Sequence, residues 1–469
     1  MVSIFQNWGG TIRWQPKDTL YPRSVDELQQ VIRKNDSVLV VGSRHSFSRV
    51  LEGHDKTTAV VDLRWLCGVK FYGTKNGRRL YEIQGGTILR DVAKTLKADG
   101  CYFINTGSVL EQTIAGALST CTHGSGSKFQ SMCGQVHSID VVDGYGELHT
   151  GISEESNPTL FLSTLGGIGT IGIIVAVRLY VDEDKPLCYS SEKIEGNIFA
   201  ERFITVAETC LHTEAYWFPY QNRAYLITRD NTTAPVDKRG VGTYIQNFVA
   251  GFFGDWIYPV LVSLIRAHAP LSRSLSIMYT NLIFAFLPKE KHVGFKSEIL
   301  SEEISRKPWK NMEETEFNIR ADDLNLLLTR LADILNRYLN SYELFLEFPV
   351  HIRIVHSDKF FASPFQNSDS TVFLSFSMPN IANETNAAWK TLADNGECVW
   401  SSILGVFDEV CGRANVRFHL GKSVPDSALN ETIMDRMPGI FTWKKAHGYY
   451  NKRGVLTNSL SSDLLKLVQ

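Results

Sequence analysis

The 469-residue sequence has no surplus of either charge: 48 Lys and Arg stand against 50 Asp and Glu, a formal net charge of −2. Nucleic-acid binding draws on a strong basic excess and finds no support in that balance. Cysteine is sparse. The eight residues at 67, 101, 121, 133, 188, 210, 398 and 411 form no CxxC pair and join no histidine at zinc spacing. Neither a disulfide framework nor a metal centre is expected, and the thiols read as buried and free in a reducing compartment. Residues 1–10 lack the basic stretch and apolar run of a secretory signal. Internal repeats and low-complexity tracts are missing too. With 43% hydrophobic and 21% charged residues, general disorder is excluded, and a chain this long buries a large core without staples.

Long apolar runs are also scarce, with one exception. Residues 248–265 (FVAGFFGDWIYPVLVSLI) approach the length of a membrane span, but Asp255 and Pro259 interrupt them. A second run, 275–287, follows closely. The pair reads either as a buried helical hairpin or as a patch lying on a membrane surface; a true span is the weakest reading. The expected location is cytoplasmic or peripherally membrane-associated through 248–287.

What is present is an α+β pattern. Residues 37–41 (SVLVV), 59–63 and 80–84 read as strands, and 171–181 as a long β-branched one. Ile88, Val92 and Leu96 have helical spacing, and Gly100 stops that helix. Residues 136–150 read as a strand, a turn and a strand, and 157–165 as a short helix. No regular βαβ repeat is seen. Asp182 to Lys185 followed by Pro186 marks a boundary. Beyond it the texture changes to longer strands, such as 214–229 and 371–378, and a Leu-rich helix over 321–339.

Three segments concentrate small residues: GSRHSFS at 42–48, NTGSVLEQTIAGALSTCTHGSG at 105–126, and GGIGTIG at 166–172. Such loops let backbone N–H groups converge on an anion, and a dinucleotide pyrophosphate is a natural guest. The GxGxxG and GxxxxGK[ST] fingerprints are both missing, so another scaffold must hold it.

These loops together resemble the vanillyl-alcohol-oxidase-type (PCMH-type) FAD-binding fold, and within it the sugar-lactone and alditol oxidases. The resemblance continues in order along the chain: AYWFPY at 215–220, FPVHIR at 348–353 and VRFHLGK at 416–422. It implies a two-domain α+β flavoprotein. Residues 1–182 would bind FAD, 183–412 would form a mixed α+β cap over the substrate, and 413–469 would return to complete the FAD site. The implied reaction is oxidation of a carbinol of a sugar lactone or polyol by hydride transfer to flavin, with oxygen reduced to hydrogen peroxide. Alternatives are a dehydrogenase of the same fold with another acceptor, an oxidase of a non-sugar metabolite, or a flavin-binding protein that has lost catalysis.

Residue roles follow from the same resemblance. His45 would bond covalently to the flavin 8α-methyl carbon, flanked by Gly42, Ser43, Arg44 and Ser46, with Arg44 near the phosphates. Gly107, Thr113, Gly116, Ser119, Thr122, His123, Gly124 and Gly126 would line the cofactor surface, with Thr113 near the flavin N5. Ile173 would meet the adenine through its backbone, and His419 lies in the HLGK segment. Lys422 would stabilise negative charge developing on the flavin, the electrostatic mode of catalysis. Arg353 would orient a hydroxyl or carboxylate. The family's acidic residue two before that arginine is replaced by His351. Imidazole also suits a general base near neutrality, and in a strand His351 and Arg353 share a face. Glu347 sits about 13 Å back along the strand at about 3.3 Å per residue, too far to substitute. Ser375 and Ser377 stand where relatives carry other polar residues toward the substrate.

Overall fold

The computed structural model describes residues 4–237, 269–300, 312–342, 346, 348–366, 371–379, 399–430 and 433–468. The N-terminal part is built on two main sheets. Thr19–Leu20, Ala59–Asp62 and Val38–Val41 make a small parallel sheet. Gly172–Glu183 is the spine of a six-stranded sheet, pairing antiparallel with Val136–Asp143 on one edge and Arg78–Gln84 on the other. Its Ile173, Ile174, Val175 and Val177 are buried, as β-branched residues favour in a covered strand. Helix Leu89–Ala98 buries Leu89, Val92 and Leu96, and Gly100, at φ +67°, ends it in a conformation that suits glycine.

At Asp184 and Lys185 the chain leaves this sheet, and Pro186–Glu195 enters an eight-stranded antiparallel one. Its order is Lys291–Phe295, Pro186–Glu195, Arg223–Asn231, His212–Phe218, Val350–Val355, Thr371–Pro379, Met312–Arg320 and Arg417–Phe418. One face is apolar and packs on helices: Phe317 stacks on Phe407 of helix Val399–Cys411 at 4.5 Å, and Phe376 meets Trp400 at 6.3 Å. The other face is polar and turns toward the glycine-rich loops. The last strand, Arg417–Phe418, comes from the C-terminal segment. That segment then returns to the N-terminal part, where Val38 N donates to Val455 O at 2.7 Å.

The expected single strand over 214–229 is instead a hairpin, His212–Phe218 and Arg223–Asn231. Pro219 cannot donate to a ladder, and Asn222 takes φ +47° in the turn, so the break was written in the sequence. The expected helix over 321–339 starts as a short 3-10 turn, Ala321–Asp323, before the α-helix Leu324–Tyr342. The seven cysteines among the described residues are free, with Cys67 exposed rather than buried. Of the apolar run at 248–287, residues 248–268 lie outside the described residues, as does Glu347. The rest belongs to helix Ala269–Phe286, where Phe284 packs on Phe218 while Met278, Leu282 and Phe286 are exposed. No helix among the described residues is long and apolar enough to cross a membrane.

A loop from the polar sheet crosses to the N-terminal part and buries Asp358. Its carboxylate accepts from the Ser363 hydroxyl at 2.7 Å and from Phe360 N at 3.3 Å. Burial dominates these contacts and pushes the carboxyl from 3.8 up to about 7. A group that keeps its proton longer in the fold than in the unfolded chain stabilises the fold fully below pH 3.8, and that contribution is lost as pH rises through about 7. Asp358→Asn is therefore expected to be more stable than the parent at pH 8, by about 1–2 kcal/mol, with the gap closing toward pH 4–5. Denaturant midpoints across that range check it; a gap independent of pH would contradict the assignment.

Candidate functional site

The three glycine-rich loops pack directly on one another. A Cβ on Gly42 would lie 2.1 Å from Thr113 Oγ1, and one on Gly166 would lie 2.6 Å from Cys121 Sγ. One on Gly124 would lie 2.2 Å from Asn105 Oδ1, and one on Gly107 would lie 2.8 Å from Thr122 Cγ2. Backbone bonds tie the loops together: Ile168 N donates to Ser119 O at 2.9 Å, and Gly166 N to Leu118 O at 2.8 Å. Thr113 caps the short helix Ile114–Ser119, its hydroxyl accepting from Gly116 N at 3.3 Å. Ile173 pairs with Val142, while the opposite ladder begins only at Ala176. Arg44 takes φ +64°, faces Asp62 at 3.9 Å and lies over the Phe5 ring.

The C-terminal segment closes on the first loop. Ser46 Oγ donates to Gly421 O at 2.6 Å, and Phe47 N donates to the same oxygen at 3.2 Å. A Cβ on Gly421 would lie 2.8 Å from Thr120, so glycine there lets the segment reach the second loop as well. His45 stacks near Trp8 at 5.3 Å. Burial pushes its imidazole down to about 4, with Glu111 opposing and Lys422 adding to the push. His45 is therefore neutral at neutral pH, with a nitrogen lone pair available to bond carbon. Lys422 lies over Phe47 and is ion-paired with Glu314.

Across the seam, the polar sheet face presents a continuous row. Tyr216 is registered with His351, His351 with Ser375, and Ser375 with Glu316. The next rows carry Glu214 beside Arg353 and Ser377 beside Glu314. Glu316 is fully buried. Its Oε1 lies 2.8 Å from His123 Nε2, and its Oε2 accepts from Arg353 Nη2 at 2.7 Å and from the Ser375 hydroxyl. Burial alone would raise Glu316, but the charges of His123 and Arg353 hold it well below the usual carboxylate range. Arg353 also donates to His123 O at 3.3 Å, and Gly126 N donates to Ile354 O at 2.7 Å. His419, buried against His123 at 5.7 Å, accepts at Nδ1 from Gly421 N at 3.1 Å.

His351 stacks on Tyr216 at 4.6 Å, and its Nε2 lies 3.2 Å from Glu214 Oε2. An ionised carboxylate only accepts, so Nε2 carries a proton, and Nδ1 is the ring atom left to face a substrate. Glu214 is held in turn by Arg229 at 2.8 Å. An imidazole oriented by a buried carboxylate is the arrangement a general base requires.

Thus His45, Thr113, His123, His351, Arg353, His419 and Lys422 gather along one seam between loops and sheet. Glu214, Glu314 and Glu316, which the sequence reading passed over, complete it. The signal for Glu314 and Glu316 was the run MEETEFNIR, where acidic residues alternate with residues of a strand that has to be buried, whereas Glu214 stands in the run HTEAYWF. Residues present fit an FAD-sized group on one observation in particular: Ser43 Oγ is buried in the first loop with no partner among the described residues, amid glycines that a side chain would fill. Its hydroxyl is a donor awaiting an acceptor such as phosphate.

Residues 16–151 match the model of an FAD binding domain, and residues 177–399 match the model of D-arabinono-1,4-lactone oxidase. The D-arabinono-1,4-lactone oxidase of Candida glabrata is 29% identical over 248 residues, covering 50% of this chain and 45% of that protein. The putative D-arabinono-1,4-lactone oxidase of Neurospora crassa is 28% identical over 287 residues, covering 56% of this chain and 48% of that protein. The match spans less than half the length of both relatives. Cholesterol oxidase from B. sterolicum superposes with a TM-score of 0.76 at 12% identity, covering 98% of this chain and 96% of that one, a likeness of fold. The two domain matches follow each other in that order on one chain, the first over the glycine-rich loops at 42–48 and 105–126 and the second over most of the polar sheet.

Proposed function

We propose that this protein is an FAD-dependent oxidase of the carbinol carbon of a sugar lactone or polyol. Residues 1–182 and 413–469 would hold the cofactor, and 183–412 the substrate. The observation that carries the reading is the polar row Tyr216, His351, Ser375 and Glu316, facing loops whose sequence matches an FAD binding domain. Bound FAD supplies the hydride acceptor, with oxygen regenerating it and yielding hydrogen peroxide.

The chain's own residues divide the remaining work. Arg353 offers a donor through its Nε, and the Ser375 oxygen offers its lone pairs, to the hydroxyls of the substrate, and together they fix which carbon faces the loops. His351 takes the hydroxyl proton at Nδ1, while Glu214 stabilises the imidazolium that results. Lys422, held by Glu314 at the edge of the same face, supplies a fixed ammonium where negative charge develops. The buried seam excludes water, which strengthens each of these interactions. Peripheral membrane contact through 248–287 belongs to the same reading, supported by the exposed Met278, Leu282 and Phe286.

Three measurements test this. Anaerobic bleaching of the flavin is expected with D-arabinono-1,4-lactone or related lactones and polyols, and Lys422→Met is expected to slow it about 100-fold or more with flavin retained. Bleaching only by unrelated alcohols, or an undiminished rate in Lys422→Met, would overturn the substrate class or the role of the lysine respectively. Colour is expected to stay with the acid-precipitated protein because neutral His45 bonds the flavin; a white pellet under a yellow supernatant would exclude the bond. In vesicle flotation the protein is expected to rise with lipid at low and high salt alike, and one that stays at the bottom of the gradient would exclude the membrane contact.

A further inference from the structure

The contact between His123 and Glu316 asks for a proton that neither partner alone accounts for. His123 Nδ1 lies 2.9 Å from Gly124 O, and a carbonyl only accepts, so Nδ1 is protonated. Nε2 lies 2.8 Å from Glu316 Oε1, while Glu316 Oε2 already accepts from Arg353 and Ser375. With a neutral ring and an ionised carboxylate, two lone pairs would meet at 2.8 Å in a buried site, which is repulsive. We infer that His123 and Glu316 share one buried proton across the seam between the glycine-rich loops and the polar sheet, and that this proton leaves the cluster around Arg353 with two cations against one carboxylate.

The consequence reaches the proposed reaction and rests on that reading. Without the proton, the charges of Glu316 and Arg353 cancel. With it, the cluster is net positive beside the row where a substrate hydroxyl gives up its proton, and a developing alkoxide is stabilised there. His123 and Glu316 are thus positioning residues. One carboxylate oxygen and the His123 carbonyl aim the Arg353 guanidinium, and the shared proton keeps its charge from being quenched.

Burial, then the Arg353 charge, press the His123 imidazole below its ordinary range, and Glu316 opposes them. The rings of Phe365 and Phe373, at 5.1 and 4.5 Å, are apolar. His419 is pushed down to about 3 by burial and is neutral, its Nδ1 lone pair taken by Gly421 N–H. Lys422, the cation next along the sheet edge, is paired with Glu314. The ring nitrogens of His123 and His419 and a carboxylate oxygen of Glu316 lie within 4.8 Å of one another, close enough for a metal ion. However, the His419 Nδ1 lone pair is committed, and the Arg353 guanidinium already occupies the carboxylate, so a proton is the occupant that fits.

The test is proton and nitrogen NMR of the FAD-loaded protein carrying 15N-histidine. One strongly deshielded proton is expected on the His123–Glu316 pair, absent in His123→Gln and in Glu316→Gln, and lost on raising the pH sooner than an ordinary imidazole loses its own, because burial and Arg353 oppose it. A pair that shows no such proton at any pH at which the protein stays folded, or one equivalent of metal per chain by elemental analysis, would overturn the inference. The parent protein alone decides this point if the Glu316 variant fails to fold. A second arm compares flavin reduction: His123→Gln is expected to lower the limiting rate about tenfold with little change in KM, and to flatten the pH profile over the range in which the parent loses the deshielded proton. A rate and profile equal to the parent would remove the charge role. If no lactone or polyol reduces the flavin at all, the proposed function falls while the NMR arm still judges the shared proton.

Discussion

Glu316 is the constraint around which the site is organised. A carboxylate with no solvent exposure is costly unless each oxygen is paired, and here the partners come from three other elements: His123 from the loops, Arg353 and Ser375 from two strands of the sheet. Removing any one of them leaves a buried charge short of a partner. That shortage links two halves of the chain that could otherwise slide past each other, because the ring of His123 meets Glu316 only when the loop carrying it lies flush on the sheet. The backbone bond from Gly126 to Ile354 fixes the same register a few residues away.

The glycines serve this closure from the other side. Gly42 against Thr113, Gly166 against Cys121 and Gly421 against Thr120 are approaches that a Cβ would block, so the loops reach contact only as written. The C-terminal segment depends on the same economy of size. Its Gly421 touches the second loop while its carbonyl holds Ser46 and Phe47 of the first, and this brings Lys422 to the sheet edge beside Glu314. Three stretches far apart in the sequence thus meet because small residues let backbone carry the contact.

Much of this was legible beforehand, unevenly. Local pattern gave the strands at 37–41, 80–84 and 171–181 and the helix ending at Gly100, since these depend on near-neighbour spacing. The hairpin at Pro219 to Asn222 was missed because the flanking alternation continued on both sides and outweighed two turn residues. His123, His351, Arg353 and Lys422 stood out as polar residues in recognisable segments. Glu214, Glu314 and Glu316 did not, because an acidic residue in a strand normally signals a solvated face. Only the pairing of Met312–Arg320 between Thr371–Pro379 and Arg417–Phe418 shows that its polar face is covered.

The same pairing changes the meaning of His351. Read alone, it is an imidazole where the resemblance to the sugar-lactone oxidases implies an acid. In the sheet, its ring faces Glu214 on the adjacent strand, and Glu214 is itself braced by Arg229. A carboxylate is thus present one strand over, with the imidazole in front of it. A lone acid at 351 would have stood next to Arg353 and faced Glu214 across the strand pair, two like charges in a buried row, and one of them would have had to stay protonated. Imidazole avoids that conflict and turns the second carboxylate into a brace. The three carboxylates of the face each have a basic partner: Glu214 with His351 and Arg229, Glu316 with Arg353 and His123, Glu314 with Lys422. With the inferred proton on the His123–Glu316 pair, one positive charge is left over in that row, and it lies beside Arg353.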